Sequence, residues 1–85
     1  MSKSVTVIGK PACRDCVATE SAMRLRKIPF IKKSITDEGV LDLVTRLGYK
    51  SFPIVVVSDD HHWAGFNQSK ILELAAAFKE EEVAA

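Results

Sequence analysis

The sequence of 85 residues lacks the features that mark several large classes of protein. Its apolar runs are far shorter than a bilayer-spanning segment, and the segment over residues 1–8 is too short for the core of a signal peptide. The 12 basic and 11 acidic residues nearly balance, which gives no support to a nucleic-acid or membrane partner. No repeat or linker divides the chain. We therefore expect one cytoplasmic, monomeric domain over residues 1–85.

Cysteine is almost absent. The chain holds two cysteines, Cys13 and Cys16, which follow a short apolar segment and the break at Gly9-Lys10-Pro11. In a reducing compartment a lone pair of close cysteines is seldom a structural cross-link. The pair therefore indicates redox chemistry or metal binding.

The hydrophobic pattern predicts the element order βαβαββα. Short aliphatic or β-branched runs indicate strands over 5–8, 30–34, 54–57 and 61–64. Helical spacing indicates a helix over 14–27, a second between Thr36 and Gly48 as caps, and a third that Asn67 caps. The residues predicted to be buried are Ala18, Ala22 and Leu25 in the first helix, Val40, Leu41, Val44 and Leu47 in the second, and Ile71, Leu74, Ala75 and Phe78 in the third.

The connections between these elements predict how the strands are arranged. Strands joined by helices are expected to be parallel, with right-handed crossovers, whereas Ser58-Asp59-Asp60 turns the chain into an antiparallel hairpin. The exposed Lys32 and Lys33 place the second strand at an edge. The result is an α/β fold with a mixed sheet of four strands and three helices. The acidic end, residues 80–85, is expected to fray because its charge opposes the helix dipole.

The cysteine pair falls at the junction of the first strand and the first helix. Cys13 is placed at the helix N-terminus, where unpaired N–H groups and the helix dipole stabilise an anion and lower the pKa of a thiol. Lys10 and Arg14 add positive charge, and Asp15 opposes it. Cys16 lies one turn further along, within disulfide reach but more sheltered. Such a pair reduces a disulfide when one thiolate attacks and the other resolves the mixed disulfide.

Two metal-binding alternatives remain open. A structural zinc site needs four ligands, but His61 and His62 point to opposite faces of a strand, and we expect both in solvent near a turn. A copper-chaperone module also carries Cys-x-x-Cys between a first strand and helix. Such domains resemble a βαββαβ order with a Met shortly before the first cysteine, where this chain has Lys10-Pro11-Ala12. We therefore expect redox chemistry and no bound metal.

A proline and two aromatic residues are further candidates for the site. Pro53 precedes the most apolar strand, which indicates a turn or a cis bond near a site. Trp63 and Phe66 flank Ala64-Gly65, and each fits either the core or an exposed surface that binds a partner. For Trp63 the core is the favoured interpretation.

Three segments together resemble a known family. They are Lys-Pro-Ala-Cys-x-x-Cys at residues 10–16, Phe52-Pro53 before an aliphatic strand, and His62-Trp63-Ala64-Gly65-Phe66. From about Val5 to Phe78 the chain is similar to the NrdH-redoxins, glutaredoxin-like proteins with a thioredoxin fold. The resemblance implies a thiol–disulfide oxidoreductase that carries electrons from thioredoxin reductase to the large subunit of class Ib ribonucleotide reductase. It implies no cofactor beyond the redox-active cysteine pair.

The same resemblance assigns roles to individual residues. Carried over by position, Cys13 is the attacking thiol, Cys16 the resolving thiol, and Pro53 a cis-proline that faces them. A cis Phe52–Pro53 bond exposes the Phe52 backbone for β-type pairing with a partner. The residues expected to bind the partner are Lys10, Arg14, Phe52, Pro53, Trp63, Gly65 and Phe66.

The chain departs from the family pattern in two places. Arg14-Asp15 stands where Val-Gln is common, and Asn67-Gln68-Ser69 stands where Arg-Pro-Asp often follows. A glutathione-dependent glutaredoxin is the main alternative. Glutaredoxins typically hold the glutathione carboxylate with Gly-Gly and an Asp-containing turn, and they carry Pro-Tyr between the cysteines. Because Ala64-Gly65-Phe66-Asn67 has one glycine and a bulky aromatic, we expect thioredoxin reductase to be the better reductant.

Overall fold

The structure of the protein, a computed structural model, describes residues 5–58 and 60–84, and residues 80–84 by their backbone alone. Within this part the elements are β1 (Thr6–Gly9), α1 (Arg14–Leu25), β2 (Ile31–Ser34), α2 (Val40–Leu47), β3 (Ile54–Ser58), β4 (His61–Ala64) and α3 (Gln68–Ala84). The predicted element order is confirmed. Residue 59 of the predicted turn and residue 85 lie outside the described residues. The α3 backbone is helical to Ala84, and the predicted fraying stays a prediction.

The strands that the structure describes form one mixed sheet in the order β2-β1-β3-β4. β1 and β2 are parallel, and Gly9 lies opposite Ser34. β3 is antiparallel to β1, and β4 is antiparallel to β3. The mixed sheet, the hairpin of β3 and β4, and the edge position of β2 are confirmed. The expectation that each helix joins parallel strands is wrong for β3.

The direction of β3 follows from where the chain leaves and re-enters the sheet. β2 ends at Ser34, beside Gly9, and β3 begins at Ile54, opposite Ile8. Both points lie at the same end of the sheet. The connection through α2, a helix of 8 residues, returns the chain to the end that it left. β3 therefore runs against β2 and β1, because a parallel strand would have to enter from the far end.

Helix α1 buries a face that only partly matches the predicted one: Ala18 and Ala22 are half-buried, and Ala22 packs on the buried core. The prediction is wrong for Leu25, which is 79% exposed and ends the helix, two residues before the predicted boundary. The face towards the sheet starts at Cys16 and continues at spacings of three and four residues, as a helix requires. Its buried residues are Cys16, Thr19, Glu20 and Met23.

Helix α2 starts later than predicted. Its N-cap is Gly39, in the left-handed conformation with φ 81°, and not Thr36. The preceding residues form a turn in which the Asp37 Oδ2 accepts a hydrogen bond from the Ser34 backbone N–H at 2.8 Å. Asp37 therefore closes the end of β2 and does not open the helix. At the other end Gly48, also left-handed, caps the helix as predicted, with its N–H bonded to carbonyls of the last turn.

Alternate side chains of the strands fill two apolar clusters, one on each face of the sheet. The first lies against α1 and α3 and comprises Val5, Val7, Met23, Ile28, Val55, Trp63, Ile71 and Leu74. The second lies against α2 and comprises Ile8, Val40, Val44 and Ile54. Ala75 and Phe78 pack on the first cluster, so the predicted stripe of α3 is confirmed. In α2 the prediction is wrong for Leu41, which is exposed, and Leu43 packs in its place.

Truncation of two neighbouring residues tests the buried face of α1. Met23→Ala should lower the free energy of unfolding by about 2–5 kcal/mol, because it leaves a cavity in the first cluster. Leu25→Ala should change it by less than about 0.5 kcal/mol, because this side chain lies in solvent. Urea denaturation of both variants in the oxidised form measures the two losses. Equal losses would contradict the assignment of the face.

Candidate active site

Cys13 occupies the N-cap position of α1. Its backbone is extended, with φ −108° and ψ 106°, and its Sγ accepts a hydrogen bond from the Cys16 backbone N–H at 3.1 Å. An N–H group at a helix N-terminus stabilises negative charge on the atom that it contacts. The side chain is half-buried, so its sulfur keeps access to solvent. The position therefore suits a thiolate that attacks a partner.

Cys16 is buried beneath the end of β1. It is 4% exposed, its Cα lies 5.2 Å from that of Cys13, and the two residues are joined by a disulfide. Gly9 leaves room for this sulfur: a Cβ at Gly9 would lie 3.2 Å from the Cys16 Sγ, and the sulfur would have to shift by a few tenths of an ångström. In the sequence, Gly9 is recognisable only as a strand break. The structure makes it the residue that gives the buried sulfur its space.

The segment around Cys13 is positively charged, and one of its residues has a strained backbone conformation. Lys10 and Arg14 are both exposed, and the Lys10 Nζ lies 5.8 Å from the centre of the Phe52 ring. A cation at this distance is attracted by the ring face. Ala12 has a φ of 55°, a left-handed conformation that costs a residue with a Cβ about 1–2 kcal/mol. The loop thus places Cys13 at the helix start at a cost in backbone energy.

Pro53 follows Phe52 through a cis peptide bond, as predicted. It is buried, and it precedes β3 at the sheet end where β1 terminates in Gly9. Its carbonyl oxygen accepts a hydrogen bond from the Gly65 N–H at 2.7 Å. Gly65 has a φ of 86°, which few other residues adopt. The segments before β3 and after β4 are therefore joined at the end of the sheet where β1 terminates in Gly9.

The two aromatic residues predicted for the site lie in different environments. Trp63 is 5% exposed and belongs to the first cluster, so the interpretation as core is confirmed. Because its ring packs in the cluster under α1 and α3, Trp63 offers little surface to a partner, and its role in partner binding stays a prediction. Phe66 follows Gly65 and is 42% exposed. Phe66 is thus the large apolar side chain that this segment offers to a partner.

His62 is half-buried, contrary to the expectation that both histidines lie in solvent. Its Nδ1 lies 2.8 Å from the Tyr49 hydroxyl, which also reaches the His62 carbonyl oxygen at 3.2 Å. The contact joins the loop after α2 to β4. For His61, which is exposed, the expectation is correct. No pattern in the sequence marks a contact between residues 13 positions apart.

A groove of about 540 Å³ opens between α1 and β2 beside both cysteines. We call it the α1–β2 groove. On one side lies the buried Glu20, whose Oε1 is 3.4 Å from the Lys32 Nζ and 3.4 Å from an Arg24 Nη. The residues that line the groove are Gly9, Lys10, Pro11, Ala12, Cys13, Cys16, Val17, Glu20, Lys32, Lys33, Ser34 and Asp37. The sequence places Lys32 on an edge strand but gives no sign of its pairing with Glu20.

Two features are absent from the part of the chain that the structure describes: a cluster of metal ligands and a membrane-spanning helix. Within residues 5–58 and 60–79, whose side chains the structure describes, no three His, Cys, Asp or Glu residues lie close enough together to hold a metal ion. In the same part of the chain, no helix combines the length and apolar character needed to cross a membrane.

The family model described as Glutaredoxin matches residues 5–63, which is most of the chain and includes both cysteines and Pro53. The chain belongs to the glutaredoxin family. Among solved structures it is similar to the NrdH-redoxin of Escherichia coli, with 25% identity, a TM-score of 0.76, and coverage of 84% of this chain and 93% of that one. The predicted thioredoxin fold and the resemblance to NrdH-redoxin are thus confirmed.

Other members of the family are similar too. The glutaredoxin grx-1 of Archaeoglobus fulgidus has 25% identity and a TM-score of 0.69, and the match covers 85% of each chain. Glutaredoxin 1 of Francisella tularensis, at 19% identity, shows the fold alone, with a TM-score of 0.64 and coverage of 93% and 99%. No curated protein matches the sequence at a significant level. This glutaredoxin is therefore a thiol redox protein whose cysteine pair is Cys13–Cys16.

Alkylation tests the difference between the two thiols. After reduction, limiting iodoacetamide at neutral pH should modify Cys13 first, because its sulfur is accessible and receives the helix N–H, whereas Cys16 is buried. Peptide mass spectrometry at successive times gives the order of labelling. In the unfolded protein, as a control, both should react at similar rates. Preferential labelling of Cys16 in the folded protein would overturn the assignment.

Gly9→Ala tests the contact with the buried sulfur. The new Cβ would press on the Cys16 Sγ, which the disulfide holds in place but which can rotate away in the dithiol. The variant should therefore lose about 1 kcal/mol more stability in the oxidised than in the reduced form, which raises the reduction potential by about 20 mV. Equilibration with a glutathione redox buffer measures the potential. An unchanged or lower potential would contradict the contact.

Proposed function

We propose that this glutaredoxin-family protein is a monomeric cytoplasmic electron carrier. In this proposal a thioredoxin reductase reduces it, and it donates electrons to the large subunit of class Ib ribonucleotide reductase. The electron pair resides in the cysteine pair itself, without a further cofactor. The observation that carries the proposal is the exposed Phe66, which follows a glycine bonded to Pro53 at the end of the sheet where β1 terminates in Gly9. Exposed aromatic residues of this kind often dominate the binding of a protein partner.

The two cysteines divide the reaction into two exchanges. The Cys13 thiolate attacks one sulfur of the partner disulfide and forms a mixed disulfide, and the other partner sulfur leaves as a thiolate that takes a proton from solvent. Cys16 then loses its proton, and its thiolate attacks the Cys13 sulfur. The mixed disulfide breaks, the Cys13–Cys16 bond forms, and the second partner sulfur leaves. Two electrons have passed to the partner, and a reductase must return them.

The choice of thioredoxin reductase rests on the segment after β4. A tight glutathione site there needs close approach of a ligand to the backbone, which a second glycine permits. In this chain Phe66 takes that position, and Arg14-Asp15 separates the cysteines. The similar NrdH-redoxin of Escherichia coli is described as a glutaredoxin-like protein with a thioredoxin-like activity profile. Both points favour a protein reductant.

A glutathione-dependent glutaredoxin is the second candidate. It is favoured by the N-terminus of α3, where the Asn67 Oδ1 accepts a hydrogen bond from the Lys70 N–H at 3.1 Å and the first turn has free N–H groups. Helix N-termini bind carboxylates. Glutathione would reach this end of α3 beside Phe66. The two candidates therefore compete for the same surface and differ in the reductant.

Reduction of insulin under two sets of conditions separates the candidates. With NADPH and thioredoxin reductase the protein should turn over at least about tenfold faster than with NADPH, glutathione and glutathione reductase, because the surface suits a protein partner. Cys13→Ser should abolish turnover in both assays and serves as the blank. Comparable rates with glutathione would favour the second candidate.

The variant Phe66→Ala tests the role of this aromatic side chain in the assay with thioredoxin reductase. Removal of this aromatic should raise the KM for the protein as substrate of thioredoxin reductase by about tenfold, as for a side chain at the centre of an interface. Leu72→Ala is the matched control, because Leu72 on α3 is similarly exposed, at 41%. The same assay with class Ib ribonucleotide reductase as acceptor tests the second partner. An equal effect of the two variants would contradict the role of Phe66.

A further inference from the structure

The resolving thiol must lose a proton that solvent reaches poorly. The attack of Cys16 on the Cys13 sulfur begins with this loss, because the thiolate and not the thiol is the nucleophile. Cys16 is 4% exposed. A buried thiol meets hydroxide and buffer bases rarely, so a base of the protein near this sulfur speeds its ionisation. The candidates are the side chains that share a cavity with Cys16.

Glu20 lies one helical turn after Cys16 on the same face of α1. Both residues are buried against the sheet, and both line the α1–β2 groove. In a helix the Cβ atoms of residues four apart lie about 5–6 Å from each other. Helical side chains lean towards the N-terminal end of their helix, so Glu20 leans towards the turn that contains Cys16. The carboxylate and the buried sulfur therefore occupy neighbouring positions of one cavity.

The strands beneath α1 show the same spacing. The Cβ that Gly9 lacks would lie 3.2 Å from the Cys16 Sγ. In the register of β1 with β2, Val7 lies two residues before Gly9 and opposite Lys32. Two residues of a strand span about 6.6 Å, which is close to the advance of one helical turn. Glu20 is thus held beside Lys32 in the way that Cys16 is held beside Gly9.

The two oxygens of the Glu20 carboxylate differ. Oε1 lies 3.4 Å from the Lys32 Nζ and 3.4 Å from an Arg24 Nη. Among the described side chains, no hydrogen bond or ion pair involves Oε2. The Arg24 and Lys32 side chains are 63% and 66% exposed, so they fix the carboxylate in position while the groove stays open. Oε2 is therefore the oxygen that is left to accept a proton.

The other charged groups around the groove are less suited to this role. Asp37 is exposed on the turn after β2, where one of its oxygens accepts the Ser34 N–H. Lys33 alternates onto the face of the sheet that packs on α2. The Lys10 ammonium lies over the Phe52 ring. Asp37 is thus the second carboxylate of the groove, and it is further into solvent than the buried one.

We propose that Glu20 is the proton acceptor for Cys16 in the second exchange. The Cys16 proton passes to Oε2, directly or through one water of the groove, and then to solvent. The electron pair of the S–H bond stays on the Cys16 sulfur and forms the bond to Cys13. The bond from Cys13 to the partner sulfur breaks, and its electrons leave with that sulfur. The proposal rests on the two exchanges of the proposed function, and it does not depend on the identity of either partner.

Reaction of the reduced protein with equimolar dithiobis(nitrobenzoate) separates the two exchanges. Cys13 releases one coloured thiolate when it attacks the reagent, and Cys16 releases another when it closes the disulfide. Stopped-flow absorbance gives both rates. Glu20→Gln should change the first rate by less than about twofold and slow the second about tenfold at neutral pH, because a nearby base contributes at least this factor. The variant leaves no buried cation, because Arg24 and Lys32 are exposed.

Two further measurements distinguish proton transfer from a structural role. Between about pH 6 and pH 8, the second rate of Glu20→Gln should rise about tenfold per pH unit, because hydroxide or buffer then takes the proton, and the wild-type rate should rise much less. Formate, a small carboxylate that enters the groove, should accelerate the second exchange of Glu20→Ala, and chloride at the same ionic strength should not. Asp37→Asn is the matched control and should keep the wild-type profile, because its amide oxygen still accepts the Ser34 N–H.

Three results would overturn the role of Glu20. They are a second rate with unchanged size and pH dependence in Glu20→Gln, the absence of any effect of formate on Glu20→Ala, and a larger loss in Asp37→Asn than in Glu20→Gln. Circular dichroism and the first rate show that each variant is folded and that Cys13 still reacts. Release of a single coloured thiolate by the wild type would instead refute the two exchanges of the proposed function.

Discussion

The contact between the Cys16 sulfur and Gly9 is the constraint on which the site depends. β1 lies inside the sheet, between β2 and β3, and its last residue has no side chain. The start of α1 can therefore lie directly against the end of this strand, with Cys16 enclosed and Cys13 left at the N-cap. The difference between the two thiols thus comes from the packing of a helix on a strand.

Much of the fold is readable from local patterns. Each strand lies within one residue of its prediction, and the caps at Gly48 and Asn67 are confirmed, because alternation, capping and turn chemistry are properties of a few neighbouring residues. The direction of β3 is not readable in this way. Periodicity shows that α2 is a helix, but it does not show to which end of the sheet the chain returns.

The same distinction applies to the functional site, because some of its residues are predictable from short motifs and others are not. The cysteine pair and the cis Pro53 follow from short motifs. The buried Glu20 does not, because a charged residue on α1 is read as exposed, and its ion pair with Lys32 comes from a strand 12 positions away. For the same reason Leu25 is wrongly predicted as core. A burial pattern that includes a charge and a threonine is visible only when the sheet beneath α1 is known.

The carboxylate of Asp37 limits hydrogen bonding at the outer edge of the sheet, which β2 forms. The N–H groups of Ile31 and Ile35 donate to the carbonyls of Val5, just before β1, and Gly9, its last residue. By alternation the N–H groups of Lys32 and Ser34 point outwards. Asp37 occupies the Ser34 N–H. The outer edge of β2 is thereby reduced to one open amide, on a residue with a charged side chain. A second copy of the chain finds no run of free donors on which to add a strand, and the edge beside the reactive sulfurs resists aggregation and strand exchange.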